Sequence, residues 1–294
     1  MRNSKNQKSQ SAMEYLMTYG WAVLIVTIVL VALFQLGVFG NNFTPRASPG
    51  SCEIFRASSG ITGTISLEGE CQSTPPQYVA MLNGQTSYIS VPSATSLNPA
   101  SFTLSFWINP AQLYTGFQRV ISKDIKSTSP NAGWTVLWGN NGKLYVASWN
   151  GAGTEQDTQQ VTMYQNTWQF ITVEYNGVCT SIYYNGAFVS CSSSLTLNSA
   201  INQPLIIGGG DSDSLTSFTQ GQMANVQFYN VTLTNAEVQA LYVEGIGGIP
   251  VVPQSTVGWW PLNSNTKDYS GVGNNGAGTS LTFSSSYLQQ YTPP

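Results

Sequence analysis

The chain has 294 residues, 41% of them hydrophobic, which is enough for one large domain or two smaller ones. Charged residues make up only 8%, against about 25% in an average soluble chain, and no basic run follows Lys8; this argues against a nucleic-acid partner. Histidine is absent, which removes Ser-His-Asp and Cys-His catalysis and the commonest zinc ligand.

Arg2, Lys5 and Lys8 precede a stretch in which no charge occurs between Glu14 and Arg46. From Trp21 to Phe39 it is apolar apart from Thr27, Gln35 and Gly37. A bilayer core about 30 Å thick takes roughly 20 helical residues, so this segment is expected to span a membrane. The leading cations place the N-terminus in the cytoplasm and the bulk of the chain outside. A secretory signal would put its cleavage site after the apolar run, where Gly37-Val38-Phe39 is a poor match. The polar residues cluster before the run instead, and a lone carboxylate there calls for a designated partner.

Lys8-Ser9-Gln10-Ser11-Ala12-Met13-Glu14-Tyr15 resembles the class III signal peptide of archaeal type IV pilin-like proteins. The resemblance implies a leader of residues 1–9, cut by a membrane leader peptidase between Ser9 and Gln10, and a pilin-like transmembrane helix over 10–39. Glu14 becomes the fifth residue of the mature chain. In a filament the new ammonium on Gln10 would pair with Glu14 of a neighbouring copy or another pilin, since burying either charge alone is expensive. A plain N-terminal anchor is the alternative.

Residues 40–50 are rich in Gly, Asn and Pro and read as a linker. Asn42 and Asn230 head Asn-x-Thr sequons and are candidate glycosylation sites. The four cysteines contain no CxxC pair, so disulfides in an exterior compartment are expected rather than a metal cluster. Residues 51–76 read as a hairpin. If Gly60 and Gly63 bound its loop, Cys52 falls opposite Cys71 and the two are expected to bond.

Residues 77–294 show short strands divided by turn residues, the pattern of an all-β sandwich. Phe102–Ile108, Lys143–Ala147 and Trp168–Val173 alternate as strands, and Asn83-Gly84, Asn141-Gly142, Asn176-Gly177 and Asn185-Gly186 mark turns. Asn235–Leu241 reads as the one helix, with Thr234 as N-cap. A three-residue loop Tyr184-Asn185-Gly186 sets Cys179 opposite Cys191, which gives the second expected disulfide.

Four pieces resemble the LamG-like, concanavalin A-like lectin/glucanase jelly rolls: Leu82–Ile89, Ser101–Ile108, Asn166–Thr172 with Ile182–Gly186, and Gly221–Asn230 followed by the Glu237–Tyr242 helix. The family usually has Asp where Asn225 stands and His where Gln169 stands. Val257–Leu262 with Asp268–Gly276 resembles the family's opening strand and loop, yet here it comes last. Either a second domain is truncated or the jelly roll is circularly permuted, with residues 257–283 supplying its first strand. About 38 residues cannot bury a core alone, so permutation is expected.

Related glucanases cleave with paired carboxylates. The nearest candidate, Glu155-Gln156-Asp157, lies in a Gly/Thr/Gln-rich stretch and reads as a solvated loop, so no catalytic residue and no enzyme activity are expected. Such jelly rolls often hold calcium, for which Asp211, Asp213 and Asp268 are the available loop carboxylates; no metal or other cofactor is otherwise expected. Sugars stack on exposed aromatic rings, and Trp138, Trp149 and Tyr164 are the candidate ligand contacts. The sequence therefore reads as a pilin-like surface or filament subunit: one membrane helix with an extracellular lectin-like head for adhesion to surface glycans or cell-envelope components. A membrane-anchored glycan-active enzyme and a non-filament envelope protein are the alternatives. Few carboxylates also imply a weak dependence of stability on pH, and so acid tolerance.

Overall fold

The computed structural model describes residues 17, 19–31, 52–56, 63–67, 75–113, 116–125, 132–150, 155–158, 160–193, 202–210 and 215–294. They fall into two units, Met1–Ala47 and Ser48–Pro294.

In the first unit residues 19–31 form helix α1. The Thr27 hydroxyl is satisfied within it, donating to the carbonyls of Val23 at 2.8 Å and Leu24 at 2.9 Å. The large apolar side chains along it, Trp21, Ile25 and Ile28 among them, are exposed. Among the described residues no helix is long and apolar enough to cross a membrane. Ser9, Gln10, Glu14 and Asn42 lie outside the described residues.

The second unit begins with strands β1 (Cys52–Arg56) and β2 (Gly63–Leu67). Their register corrects the expected one: Arg56 pairs with Gly63 and Cys52 with Leu67, not with Cys71. Gly63 enters the ladder as the partner of Arg56 instead of closing a turn with Gly60, so every pairing shifts. Cys71 lies outside the described residues.

The sandwich follows. Its first strands are β3 (Val79–Asn83), β4 (Tyr88–Val91), β5 (Phe102–Pro110), β6 (Gln118–Ile125), β7 (Ala132–Trp138) and β8 (Lys143–Asn150). Then come β9 (Glu155–Asp157), β10 (Val161–Thr162), β11 (Gln169–Tyr175), β12 (Thr180–Tyr184), β13 (Ala187–Ser192), β14 (Leu205–Ile207) and β15 (Gln220–Tyr229). Helix α2 (Asn235–Glu244) precedes β16 (Thr256–Trp260), β17 (Ala277–Thr279) and β18 (Thr282–Ser284).

Two antiparallel sheets result. The first runs β13-β12-β11-β5-β15-β3-β18, with β16 also against β15; the second runs β10-β8-β7-β6-β14-β4-β17, with β9 on β8. The main core lies between them, where alternate residues of facing strands (Leu104, Phe106 and Ile108 against Trp134, Val136 and Trp138) exclude water. Helix α2 starts as expected, with a capping box in which the Glu237 N–H reaches the Thr234 hydroxyl and the Thr234 N–H reaches Glu237.

The Asn185-Gly186 hairpin closes with two residues, not three. Tyr184 pairs with Ala187, and both turn residues have positive φ, 49° and 76°. A register shift between Ile182 and Tyr183 then inserts one residue, so that Cys191 faces Ser181. The Cys179–Cys191 disulfide forms nonetheless, across a Cα–Cα distance of 5.8 Å. The Glu155–Asp157 stretch is also corrected from loop to strand, with Glu155 opposite Trp149 and Asp157 opposite Ala147. Pairing with a twisted neighbour, not local propensity, makes it extended.

The C-terminal segment is integral to both sheets. β16 lies beside β15, and Trp260 is fully buried in the main core. β17 and β18 cover the outer edges of β4 and β3. Asn225 lets β15 serve β3 with its first half and β16 with its second: it sits at φ 49°, where the register shifts. Its side chain donates to Gly248 O at 2.7 Å and accepts from Trp259 Nε1 at 2.9 Å.

Candidate functional site

One rim of the sandwich gathers three connections far apart in sequence around a cavity of about 550 Å³. The β3–β4 turn contributes Asn83, Gly84 and Gln85; the β5–β6 connection contributes Gln112, Phe117 and Gln118. Ser217, Phe218 and Gln220 come from the approach to β15.

The walls are fixed by hydrogen bonds. Asn83 Oδ1 accepts from the backbone N–H groups of Gln85, Thr86 and Ser87 at 2.8–3.0 Å, locking the turn. Gly84 sits at φ +73°, and a Cβ there would lie 2.8 Å from the Gln220 Cβ, so the close approach of turn and strand requires glycine. Gln118 accepts from the Gln220 N–H at 2.9 Å and donates to Gln112 O at 3.2 Å, tying the β5–β6 connection to β15, and the Gly84 N–H donates to Thr219 O at 3.0 Å, tying in the β3–β4 turn. Phe117 is 58% exposed, and Phe218 leans on Tyr88 with ring centroids 6.1 Å apart. The described lining thus consists of amides, a hydroxyl and two aromatic rings, one of them open to solvent. Such a surface offers donors, acceptors and a flat apolar face together, which is what a polyhydroxylated ring needs.

The candidates from sequence fare differently. Trp138 is fully buried in the main core, and Trp149 is 2% exposed on the outer face of the second sheet, with the Arg119 guanidinium 5.3 Å above its ring. Neither can stack on a sugar, because strand alternation turns both rings into packed layers. Tyr164 is 57% exposed on the connection between β10 and β11, at the same rim as the cavity. Asn230 is exposed at the end of β15. Asp268 is no metal ligand: Oδ1 accepts from Trp259 N and Ser270 N, and Oδ2 from the Ser270 hydroxyl and Asn274 N. Those four bonds fill the lone pairs a carboxylate has. Asp211 and Asp213 lie outside the described residues, and no group of three metal-binding side chains occurs among the described ones.

Phe117, Phe218 and Gln85 were not singled out from the sequence. Nothing local marks them; Gly116-Phe117 reads as any strand approach, and only the meeting of three connections makes the site.

The ionisable groups that depart from their ordinary behaviour lie away from the cavity. Burial pushes the Glu174 carboxyl up, partly offset by hydrogen bonds from Tyr183, Leu233 N–H and the Thr103 hydroxyl. Burial pulls the Lys123 ammonium down to about 8; it donates to Gln203 O at 2.5 Å.

A family model for the concanavalin A-like lectin/glucanases superfamily matches residues 83–239, more than half of the chain. The chain belongs to this superfamily. Among solved structures, a protein from Bacteroides ovatus described as a candidate carbohydrate-binding protein is 18% identical with a TM-score of 0.56. The match covers 77% of this chain and 64% of that one, so the chain spans less than two thirds of this relative. A heptameric SAP-like pentraxin from Limulus polyphemus is 14% identical over 60% of this chain and 85% of its own, with a TM-score of 0.46. At these identities the likeness concerns the superfamily fold. No curated protein matches the sequence. Within the superfamily pattern, the amide at 225 holds Trp259, and the buried Gln169 holds Tyr164, accepting from its N–H at 2.9 Å and donating to its carbonyl at 2.8 Å.

Proposed function

We propose that this chain is a pilin-like surface subunit whose lectin-like head binds glycans at the rim cavity. The observation that carries the glycan reading is the half-exposed Phe117 ring set beside an amide-lined cavity whose walls are locked by Asn83 and Gln118. A rigid wall spares the entropy of ordering loops on binding. The head is a binder rather than an enzyme, presented outside the cell.

Titration of the purified head with neutral oligosaccharides tests this. Saturable binding lost in Phe117→Ala and in Gln85→Ala, with melting temperature unchanged, is the expected result. Reducing-sugar release from a polysaccharide panel would instead favour the enzyme reading.

The stalk reading rests on the Lys8–Tyr15 motif and on the exposed apolar side chains of α1, which call for a lipid or helical environment. We propose cleavage between Ser9 and Gln10, membrane insertion of residues 10–39, and assembly through Gln10 and Glu14 with other pilin-like chains. Mass spectrometry of the mature chain should give an N-terminus at Gln10; an intact Met1 defeats the pilin reading. We propose further that residues 257–283 are the superfamily's opening strand, permuted to the C-terminus, a reading supported by the place of β16 within the first sheet. A Cys52–Cys71 bond and glycans at Asn42 and Asn230 complete the proposal, each checked by peptide mapping.

A further inference from the structure

The rim carries a second exposed aromatic, and its position bears on what length of ligand the site reads. Phe117 immediately precedes β6, whose first residue Gln118 pairs with Trp138 at the end of β7. Trp138 in turn pairs with Leu144 near the start of β8, and Leu144 with Val161 of β10. Tyr164 follows β10 by two residues. Along this edge the strands that lead to the two exposed rings therefore stand three steps apart, roughly 14 Å at the usual spacing.

Both rings are anchored to the short turn between β7 and β8. At Gly139 a Cβ would lie 3.5 Å from the Phe117 ring, and the Gly142 carbonyl accepts from Met163 N–H, next to Tyr164, at 3.0 Å. The Tyr164 backbone is held on both its polar groups by the fully buried Gln169, whose carbonyl also accepts from the Tyr184 hydroxyl at 3.0 Å. The loop is then pinned to the cavity wall: Asn166 N–H donates to Pro110 O at 2.8 Å, and Gln165 Nε2 to Ala111 O at 2.6 Å, beside Gln112. Asn166 accepts a φ of 55° to make this path. An exposed ring on so constrained a backbone is a preorganised contact, not a frayed loop tip.

We infer that Phe117 and Tyr164 are two platforms of one extended site that binds a run of neutral sugar units along the rim rather than a single terminal sugar. This rests on the glycan reading of the cavity. A single pyranose ring does not span strands this far apart; a chain of a few rings does. Binding energy then grows with chain length until Tyr164 is covered, and stays level beyond that.

The test is isothermal titration of the head with gluco- and manno-oligosaccharides of one to six units, for wild type, Phe117→Ala and Tyr164→Ala. In the wild type, affinity is expected to rise about 10- to 100-fold with length before levelling. Tyr164→Ala should keep the affinity for the shortest binding sugar and lose the rise, whereas Phe117→Ala should lose both. Tyr164→Phe, which keeps the ring, should keep the rise. A Tyr164→Ala chain that retains the full length dependence overturns the extended site while leaving the cavity reading intact. Absence of saturable binding to any member, or an indifferent Phe117→Ala, overturns the cavity reading itself. Melting temperatures of all variants, expected unchanged because both rings are exposed, separate these outcomes from misfolding.

Discussion

The two sheets share one core but clothe their outer faces differently. The first sheet turns Trp107, Phe170, Tyr183 and Tyr229 outward, and α2 and the C-terminal tail cover them with Val238, Leu241 and Tyr287. Tyr291 of the tail meets Trp107 edge-on at 5.4 Å. The second sheet turns outward Arg119 and Asp124, bonded at 2.6 Å, with the Ser122 and Thr135 hydroxyls at 2.8 Å and Trp149 beneath the guanidinium. One face is a second apolar core. The other is buried just as deeply but holds a desolvated ion pair. The first gains from each ring it hides, about 1.5–3 kcal/mol. The second spends much of its attraction on desolvation, so it fixes geometry more than it stabilises.

The difference can be broken from its largest element downward. Deleting residues 257–294 removes β16, Trp260 and the tail that covers the first sheet, and the head should lose its cooperative thermal transition; an unchanged melting temperature would refute the integral role of this segment. Trp107→Ala, on the apolar face, should cost about 3–5 kcal/mol in urea denaturation. On the polar face, Asp124→Asn alone should cost about 3–5 kcal/mol, whereas Arg119→Met with Asp124→Leu together should come near neutral. Equal losses for single and double variants would mean the pair is a true source of stability.

Two buried ionisable groups, Glu174 of the first sheet and Lys123 of the second, set the pH dependence. The Glu174 carboxyl is raised on folding, mainly by burial, so its contribution is fully present below its ordinary value near 4.5 and is lost as pH rises through the folded one. Acidification should therefore stabilise the head in this range, and Glu174→Gln should abolish the gain. Lys123 behaves oppositely. Its folded value near 8 is below the ordinary 10.5, so its contribution is present above 10.5 and lost as pH falls through 8. Melting temperature should rise between about pH 8 and 10 and stay flat in Lys123→Met. The smallest effect belongs to the cap of the covering helix: Thr234→Ala should cost about 1 kcal/mol by denaturant titration.

What was legible in the sequence was local. The Thr234–Glu237 capping box needs only four consecutive residues, and the Asn-Gly turns need only residues that tolerate positive φ. The strand alternation of Phe102–Ile108 and the four motif pieces between Leu82 and Tyr242 were likewise enough for the superfamily, whose model matches residues 83–239. Register was not legible, because one inserted residue beside Tyr183, or Gly63 joining a strand, shifts every later pairing without changing the pattern. Nor was the exposure of aromatics: Trp138, Trp149 and Tyr164 look alike as residue types, yet two are packed layers and one is open.

An all-β head and its capped helix follow from the order of residues along the chain, since each rests on near neighbours; the Cys179–Cys191 bond was expected from a three-residue loop, yet it forms across a two-residue turn and a bulge. Which outer face is apolar, where the last strand lies, and that Asn83, Phe117 and Phe218 share one rim emerge only once the sheets are assembled. Those depend on contacts between residues from about 30 to about 200 positions apart, which no local preference specifies.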